Sequence, residues 1–388
     1  MTGCTAKPFE RLTEGNFRPK RSRSFTPPDG LDVEYDAARG ATLADVVRLF
    51  LVGLIAAASA VACTPAAETR PVKPPRGQGR LATATSANED APRTYTPRKA
   101  KLKYEIHGRA FPLPLVTGTI AGQPVLMLVD TGANSHVIAG WFARKLGLPM
   151  KKLGDVGTDH VGKTIATFRI EKPDITIDDW GALTPVPVLA TDVPEVIEKL
   201  GIGAFISPQR LVEEGDSVVL DLAKGELRPA WWDEARYEMS ATGLPLVLAE
   251  PRACEETEGP IKGLAYVLPA TVEYQRVELL LDTGAQHSDV FTTSAAGQKL
   301  AAQSTVNKEP MYTASGKISA RKLKGAHLSA GSFGVVTDVD LIGGGADSSC
   351  PRDGVLAMDF LRSCTLLLGR SRVYGRCMPP PEPVTPTK

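Results

Sequence analysis

The chain has 388 residues, of which 43% are hydrophobic and 23% are charged, and its formal net charge is +1. This balance is that of an ordinary soluble protein with room for one or two packed domains. Because there is no overall excess of basic residues, the composition argues against a nucleic acid as a partner.

Residues 1–63 carry features of export. Residues 1–40 hold basic side chains among Pro, Ser and Thr and are expected to be disordered. The uncharged run 49–62, 14 residues long, is short for a membrane span and typical of a signal-peptide core. The small residues before Cys63 resemble the lipobox of bacterial lipoproteins, whose cysteine is lipidated. We therefore expect export to the bacterial cell envelope or periplasm, with a lipid anchor on Cys63; plain signal cleavage and an uncleaved anchor are the alternatives.

Composition divides the remaining chain into further segments. Residues 64–103 are rich in Pro, Ala, Thr and basic residues, and this composition predicts an extended tether, a prosegment or both. The other predicted segments are a first lobe at 104–232, a polar interlobe connection at 233–260, a second lobe at 261–378 and a disordered tail at 379–388.

From Tyr104 onward, short β-like runs are broken by Gly and Pro. This pattern predicts an all-β fold with few helices. In chain order it predicts a hairpin with strands 113–120 and 124–129 and a turn at 121–123, a short helix within 137–148, and strands at 164–170, 174–177 and 217–222.

The motif Asp-Thr-Gly-Ala occurs twice, at 130–133 and at 282–285. Each copy follows an apolar run, so each aspartate is predicted to end a buried strand, and the glycine allows a sharp turn. A single copy would be read as an ordinary strand-ending turn. Two copies in matching contexts, 152 residues apart, indicate an internal duplication.

A second landmark follows each motif. Gly203 in the first half and Ala357 in the second lie in apolar segments, and each precedes a closing apolar strand, 218–220 and 366–368. Together these features resemble pepsin/retropepsin-type aspartic proteases that carry both lobes in one polypeptide. The resemblance implies a bilobal pepsin-like fold of two duplicated β-barrel-like lobes, with the active site in the cleft between them. Dimerisation is then not required, because one chain supplies both aspartates.

The chemistry of this family explains the need for two copies. Hydrolysis of a peptide bond without a metal needs a base that activates water and an acid that protonates the carbonyl oxygen and the leaving nitrogen. Two carboxylates held close cannot both ionise easily and share one proton, as is known for the dyads of this family. Asp130 and Asp282 are therefore the candidate catalytic residues of an aspartic endopeptidase that acts on a peptide or protein, without cofactor or metal.

The resemblance also assigns supporting roles. It implies that Thr131 and Thr283 hydrogen-bond across the lobe interface, and that Gly132 and Gly284 leave room for water and substrate. The next residue is Ala in both motifs, where many pepsin-like enzymes have a hydroxyl that stabilises a carboxylate. We therefore expect activity nearer to neutral pH than that of a gastric enzyme. The alternative function is a catalytically silent cell-envelope domain that binds an extended peptide by strand addition.

Two other patterns need an interpretation. Residues 157–164 match the phosphate-binding pattern G-x4-G-K-T, but no strand precedes them and no helical pattern follows. Because Gly-Lys recurs at 316–317, a duplicated hairpin tip explains the match better. His136 and His287 follow the two aspartates at similar distances and are more typical of surface or supporting residues than of metal ligands. The four cysteines of the predicted lobes allow three disulfide pairings.

Overall fold

The computed structural model describes residues 98–378 apart from 154–156, 212–215, 242–251, 255–256, 259–260, 263, 309, 314–315 and 346–349. The predicted signal segment with Cys63, most of the predicted tether and the predicted tail lie outside the described residues. Across the part of the chain that is described, no helix has the length and apolarity needed to cross a membrane.

The first lobe consists of short strands with little helix. Its strands are β1 Ala100–Lys101, β2 Lys103–Ile106, β3 Arg109–Ile120, β4 Gln123–Val129, β5 Val137–Ala139, β6 Lys151–Lys152, β7 Gly157–Thr158, β8 Thr164–Ile165, β9 Thr167–Ile170, β10 Ile175–Ile177, β11 Gly181–Ala182, β12 Val188–Thr191, β13 Ile202–Ile206, β14 Ser217–Asp221 and β15 Glu226–Ala230. Its helices are α1 Gly140–Lys145 and α2 Glu195–Lys199, with a 3-10 turn at Pro208–Leu211.

The second lobe has the same character. After helix α3 Trp232–Ala241, its strands are β16 Arg252–Cys254, β17 Thr257–Glu258, β18 Ile261–Lys262, β19 Ala265–Val272, β20 Gln275–Leu281, β21 Asp289–Phe291, β22 Thr305–Val306, β23 Met311–Thr313, β24 Gly316–Ile318, β25 Ala320–Ala330, β26 Phe333–Ile342, β27 Gly354–Leu356, β28 Cys364–Gly369 and β29 Val373–Cys377. Its helices are α4 Ala295–Ala301 and α5 Met358–Leu361.

A hairpin leads into each Asp-Thr-Gly-Ala loop. Strands β3 and β4 pair through a two-residue turn at Ala121 and Gly122, and β19 and β20 through a turn at Glu273 and Tyr274. All four turn residues have positive φ angles, between 44° and 75°, which is the backbone of a type I′ turn and matches the twist of a hairpin. The predicted first hairpin is confirmed, and the second lobe repeats it.

The second lobe closes into a barrel, and the first lobe follows the same strand order without closing. In the second lobe, strands β19, β20, β27, β21, β26 and β25 follow in order, and β25 returns to pair with β19. In the first lobe the order is β3, β4, β13, β5, β12 and β9, and the partner of β3 on its other side is β10. Strands β9 and β10 stand where the second lobe has the single strand β25, and the break between them contains Pro173, which has no N–H to donate. The prediction of an all-β, bilobal fold with duplicated barrel-like lobes is confirmed.

One sheet joins the lobes. Its order is β1, β15, β14, β28 and β29, and β14 from the first lobe pairs with β28 from the second. Leu220 lies opposite Leu366 and Val218 opposite Leu368, and all four side chains are fully buried. The two closing strands predicted separately for the two lobes therefore pair with each other, and their apolar contact holds the lobes in register.

The element boundaries differ from the predicted segments at two places. Strand β1 lies within 64–103, so the folded part begins before Tyr104. Helix α3 occupies the start of the predicted connection, whereas β16 pairs with β19 and β17 pairs with β18, so the end of that connection belongs to the second lobe's strands. The cysteines form the pairs Cys254–Cys350 and Cys364–Cys377.

Candidate active site

The two candidate aspartates stand at equivalent positions of the two barrels. Asp130 directly follows β4 and Asp282 directly follows β20, and both side chains are buried. The amide of Asp130 donates to the carbonyl oxygen of Ile206 at 2.9 Å, and that of Asp282 donates to Leu356 at 3.0 Å. Each aspartate is thus fixed by the strand that crosses behind its loop.

The glycines of the two loops allow the carboxylates to approach each other. A Cβ atom built on Gly132 would lie 2.4 Å from Cγ of Asp282, and one built on Gly284 would lie 2.5 Å from Cγ of Asp130. Real Cβ atoms essentially never come so close to another atom, so only glycine fits at either position. The space that the glycines leave, which we expected to hold water and substrate, is filled here by the opposite carboxylate.

The environment of the carboxylates opposes ionisation of both. Burial raises the pKa of Asp130 well above its usual value, and the charge of Asp282 and a hydrogen bond to it raise it further. The backbone amides of Gly132 and Ala133 donate to Oδ1 of Asp130 at 2.8 and 3.1 Å and lower this pKa in part. The amide of Gly284 donates in the same way to Asp282 at 2.7 Å. Titration therefore belongs to the pair of carboxylates.

Thr131 and Thr283 bind the two loops together. The hydroxyl of Thr131 donates to the carbonyl oxygen of Leu281 at 2.8 Å and accepts from the amide of Thr283 at 2.9 Å. The hydroxyl of Thr283 donates to Val129 at 2.7 Å and accepts from the amide of Thr131 at 3.1 Å. These four buried hydrogen bonds cross the lobe interface and fix the spacing of the aspartates.

The residues at the two backbone crossings are Ser207 and Ala357, which follow the carbonyl groups that hold the aspartates. The prediction that paired Gly203 with Ala357 is therefore wrong. Gly203 lies four residues before Ser207, at a one-residue bulge of β13, and a Cβ atom built on it would lie 2.4 Å from Val125. Both crossings therefore carry a residue with a side chain, and neither carries a glycine.

One side chain in each lobe accepts a hydrogen bond from the crossing amide. Nδ1 of His136 accepts from Ser207 at 3.1 Å, and Oγ of Ser288 accepts from Ala357 at 3.0 Å. The counterpart of His136 is thus Ser288, and the predicted pairing with His287 is off by one residue. Burial, and then the charge of a nearby arginine, lower the pKa of His136 to about 3. The imidazole is therefore neutral and able to accept.

Sequence reasoning missed Gln209. Its buried Nε2 lies within 3.0 Å of the carbonyl oxygens of Thr131, Ala133 and Leu264, and so links the first loop to the second lobe. Its counterpart is Asp359, because each lies two residues after a crossing residue. Aligning the two crossings, rather than the two aspartates, would have revealed this equivalence. Within the described ranges, no group of three or more His, Cys, Asp or Glu side chains is arranged to hold a metal ion.

Comparison with protein families agrees with this geometry. Two segments, 116–205 and 268–360, match the family model described as aspartyl protease, and each contains one Asp-Thr-Gly-Ala loop. The two lobes belong to the aspartyl protease family. No curated protein sequence matches the chain.

In this structure, the match to a phosphate-binding loop is a hairpin tip. Strands β7 and β8 pair antiparallel, and strand β9 follows instead of a helix. The carboxylate of Asp159 accepts from the amide of Lys163 at 2.8 Å and closes the turn. The interpretation as a hairpin is confirmed. Strands β23 and β24 form the equivalent hairpin of the second lobe, where the ammonium group of Lys317 lies 5.3 Å from the ring centre of Tyr312.

Replacement of Thr131 by Val tests the hydrogen bonds between the loops. The Thr131→Val change keeps the shape of the side chain but leaves two buried groups, Leu281 O and Thr283 N, without a partner. We expect it to lower the free energy of unfolding by about 2–4 kcal/mol, measured by urea denaturation. Thr131→Ser keeps the hydroxyl and is the matched control, with a much smaller loss. Equal stability of Thr131→Val and the wild type would contradict this role.

Proposed function

We propose that this protein is an aspartic endopeptidase whose catalytic groups are Asp130 and Asp282. The observation that carries the proposal is that each buried carboxylate lies against the glycine of the opposite loop, so that the pair shares one desolvated space. A pair of ordinary strand-ending turns has no need for this arrangement, since exposed aspartates serve turns equally well.

The shared proton gives the two carboxylates different roles. The ionised carboxylate accepts a proton from a water molecule, and the resulting oxygen nucleophile attacks the carbonyl carbon of the peptide bond. The protonated carboxyl donates its proton to the carbonyl oxygen, which yields a neutral tetrahedral intermediate. The nitrogen then takes a proton from the protonated carboxyl as the carbon–nitrogen bond breaks, and a hydroxyl of the intermediate gives its proton to the other carboxylate as the new carboxyl group forms. The dyad gains one proton and loses one proton in each stage, so it ends with the one proton with which it began.

The raised pKa of Asp130 supports this mechanism. A dyad that held two charges at neutral pH would have no proton to donate, whereas burial and the neighbouring carboxylate keep one proton bound. The four hydrogen bonds of Thr131 and Thr283 hold the geometry without reorganisation during the reaction. The expected substrate is an extended peptide or protein segment bound between the lobes.

Removal of either carboxylate should abolish cleavage. Asp130→Asn and Asp282→Asn are each expected to lower the rate on a diverse peptide library by about 10²–10⁴-fold, because each removes the acid–base pair. Asp179→Asn is the matched control, since Asp179 is exposed and its positive φ angle suits asparagine. Peptide binding without cleavage by the wild type, at every pH, would favour the silent binding domain.

The pH profile tests the role of the alanine after each glycine. Activity should fall as the pH rises through the upper pKa of the dyad, where the shared proton is lost. Ala133→Ser adds a hydroxyl donor beside Oδ1 of Asp130, which stabilises the charged form and lowers this pKa. We expect the descending limb of kcat to move to lower pH by about one unit. Ala143→Ser, at a buried alanine of α1, should leave the profile in place, and an unchanged limb in Ala133→Ser would contradict the assignment.

We also propose that the protein is exported and lipid-anchored through Cys63. The disulfides Cys254–Cys350 and Cys364–Cys377 support export, because such bonds persist in oxidising compartments. Mass spectrometry of the protein made in a bacterial host should find acyl chains on an N-terminal Cys63, and Cys63→Ser should release the protein from the membrane fraction. A soluble wild-type protein with an unmodified N-terminus would instead indicate plain signal cleavage.

A further inference from the structure

The hairpin of residues 157–165, here called the flap, is weakly attached to its own lobe. Its strands β7 and β8 have two residues each and form a separate two-stranded sheet. Among the described strands, no third strand pairs with either of them. The backbone ladder of the first lobe therefore does not determine where the flap tip lies. The position of the tip is determined by the contacts that the tip itself makes.

The tip is buried in the second lobe. Nε2 of His160 lies 3.1 Å from Oδ1 of Asp289, and neither side chain is exposed to solvent. Because a carboxylate only accepts, Nε2 is the donor. The imidazole ring also packs on Phe291, with ring centres 4.7 Å apart. Asp289 and Phe291 both belong to β21, which follows the second catalytic loop, so one strand supplies both polar and apolar contacts.

The residue after His160 strengthens this attachment. Val161 is buried in an apolar cluster whose other members all come from the second lobe, among them Ala285 and Ala357. Ala285 directly follows Gly284 of the catalytic loop, so the flap tip joins the cluster that lies beneath one half of the dyad. A Cβ atom on Gly344 would lie 2.5 Å from the carbonyl oxygen of Val161, and glycine is needed there for the tip to seat.

The carboxylate of Asp289 depends on His160 for its partner. Within the described residues, its Oδ2 atom has no hydrogen-bond partner, and the nearest acid, Asp340, lies opposite it in the paired strand β26. Lys322 lies 3.3 Å from Asp340 and neutralises that acid instead. Burial raises the pKa of this neighbouring acid, Asp340, to about 6. Separation of His160 from Asp289 would leave a buried carboxylate without its hydrogen-bond donor.

We propose that His160 and Asp289 form a latch that holds the flap against the second lobe, beside the second catalytic loop, and thereby positions a bound peptide. This role rests on the proposed protease function. Substrate reaches the cleft when the latch opens and water solvates Asp289, and the peptide is held when the latch closes again. Both residues are positioning residues, because they act through the flap and not on the reacting atoms.

A cycle of variants separates the latch from simple packing. His160→Phe keeps an aromatic ring on Phe291 but leaves Asp289 unpaired, and Asp289→Asn removes the charge. In each, amide hydrogen exchange of residues 157–165 should accelerate about tenfold or more. The double variant His160→Phe/Asp289→Leu replaces the pair with apolar groups and should restore exchange to about the wild-type rate. Lys163→Gln, at an exposed position of the same flap, is the matched control.

Two further readouts complete the test. Exchange of strand β14 reports global unfolding in the same samples. If His160→Phe proves to be unfolded, the flap exchange of Asp289→Asn is the result that tests the latch. With a peptide substrate, the single variants should raise KM about tenfold while kcat changes less, since the dyad is intact. Wild-type exchange of the flap in a folded Asp289→Asn would overturn the latch. Absence of cleavage by the wild type would overturn the proposed function alone, because exchange still reports the latch.

Discussion

The close approach of two buried carboxylates is the constraint on which this structure depends. Two acids that face each other without water repel one another unless they share a proton, and their separation has to be fixed closely for that sharing. Glycine at 132 and 284 makes the approach sterically possible, and the threonine pair between the loops sets its distance. The sheet formed by β14 and β28 supports both, because it holds the barrels in one orientation.

Around this constraint the two lobes satisfy the same backbone groups with different side chains. The crossing amide is held by an imidazole in the first lobe and by a hydroxyl in the second, at His136 and Ser288. Two residues beyond the crossing, an amide donor at Gln209 stands where the second lobe has the acceptor Asp359. The two lobes are thus related by pseudo-symmetry in their backbone positions but not in the side chains at those positions. The two halves of a duplicated chain can diverge in this way because different side chains can satisfy the same backbone group.

The flap introduces a clear asymmetry between the lobes. The first-lobe flap crosses into the second lobe, where its imidazole and valine become part of that lobe's core. This packing ties access to the dyad to a polar pair in an apolar surrounding, which is stable when complete and costly when broken. Asp289 of this pair lies on β21, opposite the buried Asp340 of the neighbouring strand β26. Closure over the dyad and the integrity of the second lobe's core are therefore physically coupled.

The sequence alone determined the features that depend on neighbouring residues. The apolar runs, the two-residue turns and the repeated Asp-Thr-Gly-Ala loops are local, so they predicted the hairpins, the duplication and the two candidate aspartates. Only the tertiary structure decided which residues meet across the chain. The crossing residue lies 207 − 130 = 77 residues after its aspartate in the first lobe and 357 − 282 = 75 residues after it in the second, and this difference hid the equivalence of Ser207 and Ala357. His160 and Asp289 are 129 residues apart, and no local pattern marks a polar pair whose partners meet only when the two lobes have folded together.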